Sequence, residues 1–410
     1  MGYMQKLPYV LGIIPDIVPS TYMHTIKPLR NLQCKGEIKV KVLFESQVNE
    51  ISLDWADIVL FNRNIHWLLS DWVTFLRENH KPYIYDLDDN FFEIPAETDF
   101  GRELRHPAHL NNLKCTLRQA GLVRVYSTLL VQEVSQYNEK CHLVRGPVDW
   151  SLIAQGGNLG KRVRIVYATS RVIDDSLGAV FVDAIELLLN KYPEKVEFHF
   201  WGSHPFKNRS YFDCRFHPFT WDYDRYISSF SRTNHDIGLA PLLDDKFHLS
   251  KTEVKYREYG ACGVAGIYSD VAVYSNHVSN MENGLLVNND TKSWFDAMSL
   301  LVENQELRNN IKQQASKDVR ERYSQKEFDK ILLEDIHMVL AQPVTNQKMV
   351  FNVNFDGAGQ NQEQNSGWKY YLRKFRYQSI DESIQLLMRY LKRLYKIIWL
   401  RHKLYRTGRL

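Results

Sequence analysis

Residues 247–270 read FHLSKTEVKYREYGACGVAGIYSD, and this stretch decides the fold. Lys251 and Thr252 stand at an expected helix start, and Glu258 follows nearly two turns further in. Small residues then lead into a short apolar strand at 265–268. A helix N-terminus presents free backbone N–H groups and a partial positive charge, so anions dock there. Lys251 adds a full charge and Thr252 a hydroxyl to such a site. Glu258, on the same helix, accepts hydrogen bonds from neutral hydroxyls. A site that grips phosphate at one end and hydroxyls at the other suits a nucleotide sugar. The competing reading is a surface helix on which Glu258 pairs with Lys255 at i,i+3 and Lys251 is solvated.

Working outward, the run is one strand–helix unit among many. In the first part of the chain, strands are expected at 9–14, 38–44, 58–61, 83–85, 123–125 and 142–144. Helices are expected at 67–78 and 129–137. Residues 15–21 read as a proline-bounded polar loop. The pattern breaks around Gly146-Pro147-Val148-Asp149, and residues 155–160 look like a linker. A second series follows, with strands at 163–167, 196–201, 237–240, 265–268 and 284–287. Its helices end near 191, 231, 262, 302 and 321. Strands alternating with helices imply parallel sheets covered on both faces. The expected fold class is therefore α/β: two Rossmann-like domains facing a cleft, at 1–155 and 156–342. Ligands in such folds bind beyond the carboxyl ends of the strands. A linker at 343–367 and a basic amphipathic helical C-terminal tail at 368–410 complete the chain.

Composition narrows the classes. The 410 residues are 44% hydrophobic and 24% charged, as in ordinary soluble proteins. Five scattered cysteines with no C-x-x-C argue against a disulfide framework or a zinc site and fit a reducing compartment. No secretory leader, myristoylation signal or apolar run of membrane-spanning length is read. The charge of +4 is unevenly spread: from Ser366 onward twelve Lys/Arg face two acids, so the body is mildly acidic and the tail strongly basic.

The ordered pieces of the second half resemble the donor domain of family-4 glycosyltransferases, which have the two-domain GT-B fold. These pieces are the strand Asp236-Ile-Gly-Leu-Ala-Pro241, the block from Ser250 to Gly263, Tyr268-Ser-Asp270 and Asn283-Gly-Leu-Leu-Val287. Helices containing Trp294 and then Leu307, Ala315 and Val319 follow them. Val125-Tyr-Ser127 and 142–149 resemble, more loosely, the end of that fold's acceptor domain. The resemblance implies transfer of a sugar from a nucleotide-diphosphate sugar, with retention of configuration and no metal or other cofactor. It places Glu258 on the ribose, and Lys251, Thr252, Lys255 and Arg171 on the diphosphate. It puts Trp201-Gly202 and 218–221, with Trp221, beside the base. The family's first glutamate falls at Ser250, a departure from its pattern.

On the acceptor side, Asp86-Leu-Asp-Asp89 ends a strand, and Asp88 or Asp89 is the candidate to orient a hydroxyl or act as a base. Capping is the structural alternative. An Asp-x-Asp also holds metal in the other main glycosyltransferase fold, but the donor signature here lies in the other half, and no metal is assigned. The histidines show no metal spacing and read as loop or core residues. In the tail, Ile380, Ile384, Leu387, Leu391, Leu394 and Ile398 recur at spacing 4-3-4-3-4. That stripe suits an anionic membrane surface or a partner helix in an oligomer. No nucleic-acid module accompanies it.

The functional expectation is a cytoplasmic glycosyltransferase, peripheral at the inner face of the cell membrane. Its expected partners are a nucleotide sugar and a saccharide or lipid-linked glycan acceptor, as in surface-polysaccharide synthesis. The alternative is a noncatalytic nucleotide-binding or scaffold protein on a degenerate version of the same fold.

Overall fold

The computed structural model of the chain describes residues 6–65, 68–96, 99–105, 107–154, 156, 160–169, 176–202 and 214–343. The expected tail lies outside the described residues, as do Arg171 and all of the linker beyond 343.

Strands β1 (Tyr9–Ile14), β2 (Lys39–Phe44), β3 (Ile58–Asn62), β4 (Tyr83–Leu87), β5 (Leu122–Val125) and β6 (Cys141–Leu143) form one sheet. Its order is β2-β1-β3-β4-β5-β6, and every pairing is parallel. A second parallel sheet is built from β7 (Val163–Thr169), β8 (Val196–Gly202), β9 (Cys214–Pro218), β10 (Ile237–Ala240), β11 (Ala265–Ser269) and β12 (Leu285–Val287). Its order is β12-β11-β10-β7-β8-β9. The two Rossmann-like units expected from the sequence are thus present.

Strand chemistry follows position in the sheet. Central β3, β4 and β11 are covered on both faces and buried throughout. β2 lies at an edge, so Lys39 and Lys41 stay exposed, which explains their alternation with Val40 and Val42. An edge of the second sheet, β9, reads CRFHP with Arg215 and Phe216 exposed. That segment has no apolar run, and sequence reading missed it. Residues 15–21 also differ from the expected loop: a helix starts at Pro19, a residue suited to the first helical turn. It runs through a π-helical turn, Tyr22–Ile26, into Lys27–Cys34. Gly12 admits this helix, since a Cβ there would stand 3.0 Å from the Leu29 side chain.

The last helix, Gln325–Leu340, leaves the second unit and packs on the first sheet. Leu332, Ile336 and Val339 join Val10, Ile58, Leu60 and Ile84 in one buried cluster. Two crossings of the chain meet side by side at this point: the Gln325 amide donates to the Val148 carbonyl (2.9 Å), and Trp150 Nε1 to the Tyr323 carbonyl (2.9 Å). Beneath them sits Arg124, fully buried on β5. Its guanidinium lies 2.9 Å from Asp335 on the last helix and 3.3 Å from Asp86 on β4. Asp86 also accepts from Tyr126 Oη (2.7 Å) and Asn62 Nδ2 (3.1 Å). Burial pushes the Asp86 carboxyl up to about 7, against the pull of these donors.

Among the described residues no helix is long and apolar enough to cross a membrane. The five cysteines form no disulfide with one another.

Removing the Arg124 side chain strands two buried carboxylates, so Arg124→Ala lowers stability by about 3–5 kcal/mol in chemical denaturation. On the second sheet, burial pushes His199 down to about 4 despite Glu197 beside it, and His235 well below its ordinary value. The unfolded chain takes up these protons near pH 6.5, so their contribution to stability is complete above that pH. It is lost as pH falls from 6.5 towards 4. The thermal midpoint should fall across that window, and His199→Asn should reduce the slope.

Candidate functional site

The sheets turn their carboxyl ends towards each other. Strand order reverses beside β1 in the first sheet and beside β7 in the second, and ligands of open α/β sheets bind at such points. Between them lies a cavity of about 840 Å³. The first unit lines it with Ser20 and His24 after β1, Arg63 after β3, and Asp88 and Asp89 after β4. The second unit contributes Thr169, Gly202, Trp221 and the start of the Val254–Ala261 helix. Lys251, Thr252, Lys255 and Glu258 all line this one cavity.

Glu258 is 5% exposed, so it is not on a surface face. Its Oε2 accepts from Lys255 Nζ at 2.6 Å and Tyr226 Oη at 3.1 Å. The i,i+3 pair with Lys255 does form, but within the cavity wall rather than in solvent. Burial, reinforced by the Glu258 charge, holds the Tyr226 phenol far above its ordinary pKa, so it remains a donor. Lys251 reaches across the cavity. Its ammonium lies 2.8 Å from Asp89 Oδ1 and 4.1 Å from the centre of the Phe247 ring.

Gly202 ends β8 at φ +90°, and a Cβ there would stand 2.3 Å from the Thr169 carbonyl oxygen. Only glycine fits, and it keeps the backbone open to the cavity. Trp201 beside it is 7% exposed. Its ring stacks on His217 at 4.1 Å, and its Nε1 lies 3.3 Å from His235 Nε2. Trp221 packs against the first unit, in the cluster of Ile14, Ile17, Tyr22, Ile26 and Phe44. It thus lines the cavity and also joins the two units across it.

On the facing wall, Asp88 forms a tight pair with Arg63, which also lies 3.2 Å from Asp89. Arg63 has φ +58°, a left-handed backbone that costs a non-glycine residue about 1 kcal/mol or more. The turn is fixed by the Arg63 amide donating to the Asp86 carbonyl (3.0 Å) and the Asn62 amide donating to Asn64 Oδ1 (2.9 Å). Asp86 itself is fully buried below the floor, so only the second and third acids of the Asp86–Asp89 run reach the cavity. Among the described residues no group of three or more His, Cys, Asp or Glu side chains is placed to hold a metal ion.

Sequence reading missed two groups here. His24 lies on the π-helical turn, 3% exposed, stacked on Tyr126 at 4.0 Å and 4.0 Å from Asp88 Oδ2. Neither ring nitrogen has a hydrogen-bond partner. Burial, and then Arg257, Arg124 and Arg63, push its pKa well below 6.5, so the ring is neutral. Arg63 is the other. The available signal was position alone, since each follows a strand at the carboxyl edge. Ser250, where the resemblance expects glutamate, points away from the cavity. Its hydroxyl accepts from Asn90 Nδ2 (3.1 Å), and its carbonyl accepts from Ser127 Oγ (2.7 Å). It joins the two units instead of facing a ligand.

No protein-family model matches this chain, and no curated protein matches it. Solved structures match it in fold. Anabaena HepE, in complex with UDP and glucose, aligns with a TM-score of 0.60 at 13% identity, over 80% of this chain and 99% of its own. The sucrose-phosphate synthase of Thermosynechococcus elongatus gives 0.60 at 13% identity, covering 82% and 99%. A Listeria monocytogenes protein assigned as a UDP-N-acetylglucosamine 2-epimerase gives 0.53 at 10%, covering 84% and 100%. At these identities the likeness is one of architecture: the chain has the two-unit GT-B fold.

Proposed function

We propose that this chain is a glycosyltransferase that moves a sugar from a nucleotide-diphosphate sugar to a hydroxyl of a saccharide or lipid-linked saccharide. The observation that carries the reading is the Val254–Ala261 helix. It sets buried Glu258 and the cation Lys255 on one wall of the cavity, Lys251 joins them from the segment just before the helix, and Asp88 and Asp89 stand opposite. In this reading the ribose hydroxyls replace Tyr226 and Lys255 as donors to Glu258. Lys251, Thr252 and Lys255, with Arg171, meet the diphosphate, and those cations stabilise the charge that develops as it leaves. Gly202 leaves room at the base end, and Trp221 closes the cleft against water. Asp88 and Asp89 face the acceptor. HepE has been crystallised with UDP-glucose, which makes UDP-sugars the first donors to test.

The finer parts of the proposal rest on the resemblance and on the tail sequence. These are membership of family 4, retention of configuration, metal independence, hexosyl or deoxyhexosyl transfer, and a role in surface-polysaccharide synthesis. The basic tail would hold the enzyme to an anionic membrane face from the cytoplasm or pair it with a partner helix.

A panel of nucleotide sugars, followed by NMR of the products, tests the activity. Transfer gives a new glycosidic bond and free nucleoside diphosphate. A 2-epimerised sugar, or binding of donor with no turnover under any acceptor, would overturn the proposal. Glu258→Ala should cost about 10–100-fold in kcat/KM for the donor, since a charge-assisted hydrogen bond is worth roughly 1.5–3 kcal/mol. Gly202→Ala should fold less stably and bind nucleotide more weakly, because its Cβ meets backbone rather than a side chain that can move.

A further inference from the structure

The ion pair between Lys251 and Asp89 spans the cavity and joins the two walls. The two side chains are 19% and 18% exposed, so both remain within reach of solvent and ligand. Lys251 is also seated over Phe247, which keeps the ammonium in place whichever anion it binds. Asp89 is held a second time by Arg63 at 3.2 Å, and Arg63 is anchored by Asp88. Each partner therefore keeps a support when the pair between them breaks.

A carboxylate 2.8 Å from the ammonium fills the position that a phosphate oxygen needs. Two anions on one ammonium repel each other, and a diphosphate carries more charge than a single carboxylate. We propose that Asp89 is a positioning residue that couples the two substrates. It occupies Lys251 until the donor diphosphate takes that place, and the carboxylate oxygen so released accepts a hydrogen bond from the acceptor hydroxyl. This rests on the nucleotide-sugar reading above. The consequence is an order of binding: the acceptor's seat on Asp89 is complete only after the donor has entered. In the empty cleft, Lys251 is screened from stray phosphate.

The test is isothermal titration of the full chain with UDP, GDP, ADP and dTDP, together with two-substrate kinetics. Asp89→Asn should bind the diphosphate about 1.5–5-fold more tightly than the wild type, the gain expected when a partly exposed competing ion pair is removed. The same variant should raise KM for the acceptor and lower kcat. Asp88→Asn, which leaves Lys251 paired, should not tighten nucleotide binding. In a Lys251→Ala background the gain from Asp89→Asn should vanish. If Asp89→Asn unfolds below the assay temperature, Asp89→Ser serves for the same comparison. Equal or weaker diphosphate binding by the Asp89 variant overturns the exchange while leaving the transferase reading intact. So does acceptor-first or random binding in the wild type. Failure of the wild type to bind any of the four diphosphates overturns both.

Discussion

Arg124 holds the architecture at its centre. It is a full charge with no exposure, and it ties β5 to Asp335 on the returning helix and to Asp86 on β4. A buried cation of this kind is tolerable only while its partners stay in place, so its surroundings are fixed as a unit. Asp86 lies two positions before Asp88, and its carbonyl takes the amide of Arg63. Tyr126, hydrogen-bonded to Asp86, carries the His24 ring on its face. The geometry of the first unit's cavity wall is therefore set from below. His24, Arg63, Asp88 and Asp89 all take their positions from one buried electrostatic knot.

The second unit reaches the same cavity by different means. The short helix Val254–Ala261, preceded by Lys251 and Thr252, is packed so tightly that Tyr256, Arg257, Glu258 and Tyr259 are all buried. Glu258 can sit there because Lys255 and Tyr226 supply its hydrogen bonds. Gly146 and Gly202 mark where backbone must come closest. A Cβ at Gly146 would overlap the Arg257 guanidinium, and one at Gly202 would overlap the Thr169 carbonyl. Across the cleft, Lys27 bridges Asp149 and Asp224 at 2.6 and 2.9 Å, and Tyr22 donates to Asp224 at 2.8 Å. These contacts and the Trp221 cluster hold the walls at a fixed separation, which is what gives a pair such as Lys251–Asp89 its meaning.

Much of the fold was legible in the sequence because parallel strands buried on both faces have to be apolar throughout, and such runs stand out. The departures have physical causes. β9 is an edge strand, free to carry Arg215 and His217, so it lacked the signal. The Pro19 helix begins with a residue that reads equally as a loop former. Residues 325–340 fell within the expected second unit at 156–342 with no helix read there, and they form the helix Gln325–Leu340. Its apolar face is matched to the first sheet, and a hydrophobic stripe does not name the surface that covers it. Trp221, expected beside the base, lines the cavity and also packs against the first unit, a second contact that local sequence does not reveal.

The sequence by itself determined the two α/β units and the helix carrying Glu258 and Lys255, although that helix begins at Val254, after Lys251 and Thr252 rather than at them. Periodicity, glycine placement and helix-start chemistry are local properties, and local order along the chain records them. It also named Asp88 and Asp89 as a pair at a strand end. Only the tertiary structure decided that Asp86 is a structural carboxylate while its neighbours reach the cavity, and that Ser250 binds the other unit. Only it placed His24 and Arg63 in the same wall, and Asp89 on Lys251. Those relations join residues more than a hundred positions apart in some cases and single strand ends in others. They arise from how two sheets are set face to face, which no local pattern encodes.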